Sequence, residues 1–458
     1  MKDFTQGKIF KQIFYFAIPI VFSSLLQQLY SIVDSIFIGH YVGKEGLAAV
    51  GASFPLIFAL VSFVIGIASG TTVVISQYTG AKHMSSVRKA VDTMYIFMFF
   101  GGIILTIVGI AISPSIFRLI KLPEEVIPVA IEYISIYLLG NVFFFGFAGT
   151  NAILRGIGDS KTPFYFTLVA TLINVFLDWL FIAVFGMGVR GAALGTVIAQ
   201  AGAFLTAILY LNRTHELIGL RIKQLVFDMK IFKESLRIGL PTGVQQTFVS
   251  LGMIALFSIV NGFGTDVVAA YSITLRIESI PLMLSMSFAA AIAPFVGQNI
   301  GANQMDRVIK GYRSTLLMTN IISLLISLLF LSFPRLIIQA FTSDVHVIDI
   351  AVEYMYIVAP FYIIFSTMFV LTGTLRGAGA TLVPMFSSLL ALWVFRIPVS
   401  YYLSESMGRS GIWWGVPIGW TIGMLISYFY YKFGNWKNSR VKIDPILFEA
   451  ETTQSVPD

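Results

Sequence analysis

The chain of 458 residues contains no cysteine and only four histidines. Disulfides, thiolate metal sites and cysteine nucleophiles are thereby excluded. His40, His83, His215 and His346 fall in predicted loops and form neither a metal motif nor a Ser/His/Asp arrangement, so no enzyme is expected. Charge is scarce as well. Asp, Glu, Lys and Arg make up 12% of the residues, where a soluble domain carries about 25%.

What fills the chain instead is apolar: 57% hydrophobic residues, with mean hydropathy +0.85. Twelve nearly uncharged runs can be read at 13–39, 47–77, 90–117, 126–153, 162–186, 190–212, 238–263, 267–299, 314–333, 347–375, 381–404 and 411–431. Each is long enough to cross a bilayer, which takes about 20 helical residues. A β-barrel would show alternating segments of about ten residues. The expectation is an all-α polytopic membrane protein with twelve transmembrane helices. The first run is too long for a signal peptide and lacks a small-residue cleavage site, so it is expected to stay as the first helix.

The sequence pI of 9.3 invites a nucleic-acid partner, but the placement of charge argues for none. Counted loop by loop, the side holding both termini collects 22 Lys and Arg and the other side six; Arg276 and Arg396 lie inside apolar runs. That asymmetry predicts both termini in the cytoplasm, in a plasma membrane. The last 24 residues, 435–458, are polar and are expected to form a disordered cytoplasmic tail.

The chain also repeats itself at an offset of about 221. "GKEGLAAV" (43–50) aligns with "GTDVVAAY" (264–271), and "SQYTGAKH" (76–83) with "GQNIGANQ" (297–304). Glu132-Tyr133 falls on Glu353-Tyr354, "LRGIGDSKTP" (154–163) on "LRGAGATLVP" (375–384), and Gly191 and Gly195 on Gly411 and Gly415. Two six-helix bundles follow. Because six is even, they share one orientation and are related by a pseudo-twofold along the membrane normal. The expected organisation is an N-lobe over 1–212, a cytoplasmic linker over 213–237, a C-lobe over 238–434 and the tail. Basic and apolar residues alternate in the linker at helical spacing, which suits a surface-lying helix or an ordinary basic loop equally. Two parallel halves suit a transporter working by alternating access, and no stretch resembles a channel filter.

The ordered set of motifs resembles one family. "SQYTGAKH" and "VGQNIGAN", the twin "LRG-x-G" segments, "LYSIVDSIFIGHYVG" (29–43) and "FRIPVSYYL" (395–403) are similar to the multidrug and toxic compound extrusion (MATE) transporters, over the whole chain apart from the tail. The resemblance implies two six-helix lobes and export of small amphiphilic, cationic substrates in exchange for H⁺ or Na⁺. It implies a monomer in contact with membrane lipids, with no cofactor beyond the coupling ion. The alternative is a flippase of lipid-linked saccharides or other lipids, from the superfamily that shares the architecture. Such a protein needs basic residues for phosphates, and only Arg276 and Arg396 are on offer.

Asp34 is the one carboxylate in the first run, and a carboxylate costs about 3 kcal/mol or more at that depth. Asn174 and Asp178, four residues apart, present an amide and a carboxylate on one helical face, and Thr196 adds a hydroxyl. The resemblance makes these four the N-lobe coupling site. Oxygen ligands of this kind suit a hard cation such as Na⁺. Two close carboxylates in low dielectric cannot both stay ionised, so the pair can equally carry a proton. Asn174 and Thr196 also suit simple helix-to-helix hydrogen bonding.

At the repeat offset Asp34 maps to about Ala255 and Asp178 to about Val399, so the C-lobe lacks a copy of this site. It carries Arg276, Glu278 and Arg396 as buried charges, with Arg396 and Glu278 expected to pair. Pro19 lets the first helix bend, and the resemblance implies a hinge there coupled to protonation near Asp34; the alternative is an ordinary membrane-helix proline. Gln27, Gln28, Tyr30, Gln245, Gln246, Met253, Met283 and Met286 are the candidate lining of a substrate cavity, because Met and aromatic surfaces adapt to many shapes.

Overall fold

A computed structural model describes residues 2–120, 122–215 and 217–441. Among the described residues every regular element is helical. Eleven helices among these residues are long and apolar enough to cross a membrane, and twelve spans result if one bent pair counts as a single crossing. The chain divides into two compact units: residues 18–243 with 2–3 and 441, and residues 4–17 with 244–440.

The first unit holds α1 (Ile9–Phe37) from residue 18 onward, α2 (Lys44–Gly80), α3 (Met84–Leu119), α4 (Ile127–Leu139), α5 (Asn141–Gly156), α6 (Lys161–Asp178) and α7 (Gly188–Thr214). The run expected as one helix over 126–153 is in fact α4 and α5, bent by 49°. The break falls at Gly140, where a Cβ would lie 2.5 Å from Val197 Cγ2, so only glycine lets the chain turn against α7. Its core gathers Val74, Ile75, Val91, Phe145, Ile153 and Ile238, all essentially inaccessible.

Ile238 belongs to α8 (Met229–Asn261), whose residues up to 243 pack in the first unit. Gly239 and Gly243 face Gly66 and Gly70 of α2 backbone to backbone, and a Cβ on Gly66 would fall 2.5 Å from the Gly243 nitrogen. Paired small residues let membrane helices approach this closely. Helix α8 starts inside the segment expected as the linker. Asp228 caps it, its Oδ1 accepting from the Lys230 and Ile231 amides at 2.9 and 3.1 Å. What precedes it is a short 3-10 turn, Ile222–Gln224, rather than a surface-lying helix.

The second unit holds the rest of α8, then α9 (Thr265–Gly301), α10 (Met305–Ser332), α11 (Pro334–Gln339), α12 (Val345–Val358), α13 (Tyr362–Gly377), α14 (Leu382–Leu389), α15 (Ile397–Met407) and α16 (Arg409–Phe433). The beginning of the chain anchors here. Phe4 is fully buried against Phe16 and Phe295, at ring-centroid distances of 5.1 and 5.8 Å. Its amide donates to Gln298 Oε1 at 3.0 Å, and its carbonyl accepts from Arg307 Nη2 at 2.9 Å. Helix α1 therefore begins in one unit and continues in the other, and Pro19 stands just past the crossing.

The expected tail is ordered where it begins. Trp436 is buried, stacks on Tyr431 at 5.2 Å and donates Nε1–H to the Tyr431 carbonyl at 2.7 Å. Its apolar ring outweighs the polar residues around it. Val441 donates its amide to Gln77 Oε1 in the first unit at 2.8 Å. The rest of the expected tail, 442–458, lies outside the described residues.

Candidate cation site

Inside the first unit, α1, α6 and α7 bring the four expected residues into one neighbourhood. Asp178 ends α6, fully inaccessible, and Asn174 one turn earlier is 3% exposed. With its amide oriented to satisfy both neighbours, Asn174 donates to Asp178 Oδ2 at 3.0 Å and accepts from the Thr196 amide at 3.3 Å. Thr196 Oγ1 lies 3.0 Å from Tyr30 Oη, which ties α7 to α1 one turn before Asp34. Asp34 and Asp178 stand within electrostatic range of each other.

Two features of this neighbourhood matter chemically. Asp34 Oδ1 is buried and has no hydrogen-bond partner among the described residues. No ion pair with Lys, Arg or His joins Asp34 or Asp178 there either. Two acids without a base form a strongly electronegative pocket, and burying such charge uncompensated costs several kcal/mol.

Three contributors escaped the sequence reading. Tyr133, 5% exposed, lies within electrostatic range of Asp34, Asp178 and Tyr30, and Tyr137 within range of Asp34. Together with Tyr30 they wall the acids with hydroxyl-bearing rings. The recurrence of Glu132-Tyr133 as Glu353-Tyr354 was the available signal. Gly195 is the third. A Cβ there would fall 2.6 Å from Asp178 Oδ1, so the missing side chain is what admits the carboxylate against α7.

The remaining candidates are dispersed. Gln27 and Gln28 are exposed, and Gln246, Met253 and Met283 are half-buried. Gln245 donates to Ser388 Oγ at 2.6 Å, holding α8 to α14, and Met286 is exposed. Pro19 lies within α1, its carbonyl accepting from Ser23 Oγ at 2.8 Å.

Arg276 is exposed and not a buried charge, because a residue two positions from Glu278 points to a different helix face. The expected contact between Glu278 and Arg396 does not close. Glu278 Oε1 and Arg396 Nε are each buried without a hydrogen bond, in electrostatic range of one another, and Tyr354 faces the carboxylate as well. Glu132 and Glu353 instead pair with Arg190 and Arg409, the latter at 2.9 Å.

Comparison with known proteins agrees with this architecture. The MatE family model matches residues 19–180 and 241–402, once in each half. The chain is 32% identical over 438 residues to "Probable multidrug resistance protein YpnP" of Bacillus subtilis (strain 168), covering 95% of this chain and 97% of that one. It is 33% identical to "Probable multidrug resistance protein YoeA" of the same strain, covering 95% and 96%. A solved structure described as the outward-facing conformation of a multidrug resistance MATE family transporter of the MOP superfamily superposes with a TM-score of 0.89. It covers 94% of this chain and 97% of its own at 22% identity, a likeness of fold. Repeat, spans and matched residues together place the chain in the multidrug and toxic compound extrusion (MATE) family of multi-pass membrane transporters.

Proposed function

We propose that the chain is a secondary active multidrug exporter that antiports small amphiphilic organic cations against H⁺ or Na⁺, with the coupling ion bound at Asp34, Asn174, Asp178 and Thr196. The observation that carries this is the buried, unpartnered Asp34 oxygen beside a second carboxylate with no base to neutralise either. The names of these relatives support the multidrug part. The distribution of Lys and Arg supports a plasma-membrane protein with both termini in the cytoplasm.

The chemistry follows from the side chains. An entering Na⁺ takes oxygens from both carboxylates and from Thr196. Turning the Asn174 amide over presents its carbonyl oxygen in place of the N–H it now gives Asp178. An entering proton serves the same end by neutralising one acid of the pair. In either case the tie from Thr196 to Tyr30 passes the change at the acids to α1, the helix that carries Pro19. Coupling requires ion and substrate to favour opposite states, since a ligand shifts an equilibrium only by its differential affinity.

The test is efflux of ethidium from proteoliposomes under a pH gradient and, separately, a Na⁺ gradient, with Asp34→Asn beside the wild type. Flux driven by one gradient and lost in Asp34→Asn is expected. Absence of gradient-driven flux in the wild type would overturn the antiport reading. Full coupled flux in Asp34→Asn would remove the site.

A further inference from the structure

The two units place different charges at one position of the repeat. The matched segments 19–180 and 241–402 end 222 residues apart, and counting back from those ends pairs Asn174 with Arg396 and Asp178 with Ser400. Packing supports this register. A Cβ on Gly195 would strike Asp178, and one on Gly415 would strike Ser400 Oγ; likewise Gly191 abuts the Phe181 carbonyl and Gly411 the Leu403 carbonyl. The equivalent of Asp178 is thus Ser400, one residue beyond the Val399 expected from the simple offset. The prolines that open these helices, Pro163 and Pro384, lie only 221 apart. The extra residue is taken up by the π-helical turn Leu390–Arg396, which ends on Arg396 itself.

Around Arg396, as around the acids of the first unit, buried tyrosines gather. Tyr354, the repeat partner of Tyr133, is fully buried with its hydroxyl facing the Glu278 carboxylate. Glu278 of α9 is in electrostatic range of Arg396, Tyr271, Tyr354 and Tyr362. Trp413 of α16, also fully buried with Nε1 unbonded, stacks on Tyr271 at 5.6 Å and meets Tyr354 edge-on at 5.0 Å. Helix α16 is shaped for the arginine. A Cβ on Gly419 would fall 2.9 Å from Arg396 Cβ, and its counterpart on α7 by the Gly195–Gly415 spacing is Ala199.

Among the described residues, this neighbourhood of the first unit therefore holds two acids and no base, and its counterpart in the second holds one acid with one base. We propose that Arg396 is a tethered cation, standing permanently in the second unit where the first takes an exchangeable one, so that Glu278 is neutralised from within and only the first unit responds to the coupling ion. This rests on the reading of the first unit as the cation site. It explains why the repeat has kept the polar pocket in both halves while the acid moved from the first helix of one repeat to the second helix of the other. It also implies a latent ion site: with an amide at 396, Glu278 would need a proton or Na⁺ of its own.

The experiment follows thermal unfolding of the full-length protein in nanodiscs against NaCl, with choline chloride as control, and against pH. The proteins compared are wild type, Asp34→Asn, Arg396→Asn, Arg396→Lys, Asp34→Asn/Arg396→Asn and Arg396→Asn/Glu278→Gln. One ion-dependent shift is expected in the wild type and in Arg396→Lys, and none in Asp34→Asn. Arg396→Asn should gain a second shift that persists with Asp34→Asn and vanishes with Glu278→Gln. If Arg396→Asn is too unstable in ion-free buffer at neutral pH, its recovery in Na⁺ or acid is that same second shift. A folded Arg396→Asn with the wild-type ion dependence overturns the proposal, as does one that Glu278→Gln rescues and no ion does. A wild-type shift that survives Asp34→Asn refutes the first-unit reading instead, and leaves the comparison between Arg396→Asn and its Glu278→Gln double variant to decide the second.

Discussion

Adding one methyl group at Gly195 should separate ion binding from folding. The new Cβ of Gly195→Ala falls 2.6 Å from Asp178 Oδ1, well short of the 3.4 Å at which ordinary contact begins, while its next neighbours stand at 3.5 and 3.6 Å. The carboxylate alone must yield. Moving a side chain off its rotamer or overpacking a tight site costs about 1–3 kcal/mol. The change also brings a gain, since alanine is favoured over glycine within a helix by about 1 kcal/mol. Net stability should thus change by no more than about 2 kcal/mol, and the strain should appear at the carboxylate. If all of it opposes ion binding, affinity falls by about 5- to 150-fold. Gly202→Ala is the control, on the same helix with nothing within 4 Å of the added carbon. The assay is the half-saturating ion concentration for ethidium flux, read beside the thermal midpoint. The reasoning fails if folded Gly195→Ala keeps wild-type ion dependence, or if Gly202→Ala shifts it equally.

Tyr30→Phe removes the hydrogen bond to Thr196 and nothing else of size, so about 1 kcal/mol of ion affinity should go with it. The same flux assay reads this as a several-fold rise in half-saturation. Phe4→Ala empties a fully buried aromatic site between Phe16 and Phe295 and should cost about 3–5 kcal/mol, measured as a lowered denaturation midpoint. A Phe4→Leu variant should recover much of that loss.

Much of the molecule is legible in the chain before it folds. The twelve spans follow from runs of apolar residues that no soluble fold could bury, and the twofold organisation from motifs that recur in order. Asn174 and Asp178 announce themselves because spacing by four puts two polar groups on one face of an otherwise apolar helix. Asp34 does so because an acid at that depth is costly to bury.

What the sequence alone could not reveal depends on contacts between distant segments. Gly195 matters only because Asp178 arrives opposite it, and Tyr133 only because α4 packs beside α1 and α6. A glycine and a tyrosine in apolar runs look like any others until their neighbours are known. The pairing of Arg396 with Asn174 was hidden for a different reason. A single extra residue in an α-helix rotates everything after it by about 100°, so a comparison by fixed offset lands on the wrong face. The π turn before Arg396 absorbs that residue and restores the face, a geometry that hydrogen bonds decide and composition does not record. Sequence determined that both halves carry charge within the membrane. The folded backbone decided which of those charges are equivalent, because a π turn and close glycine contacts set the faces they occupy.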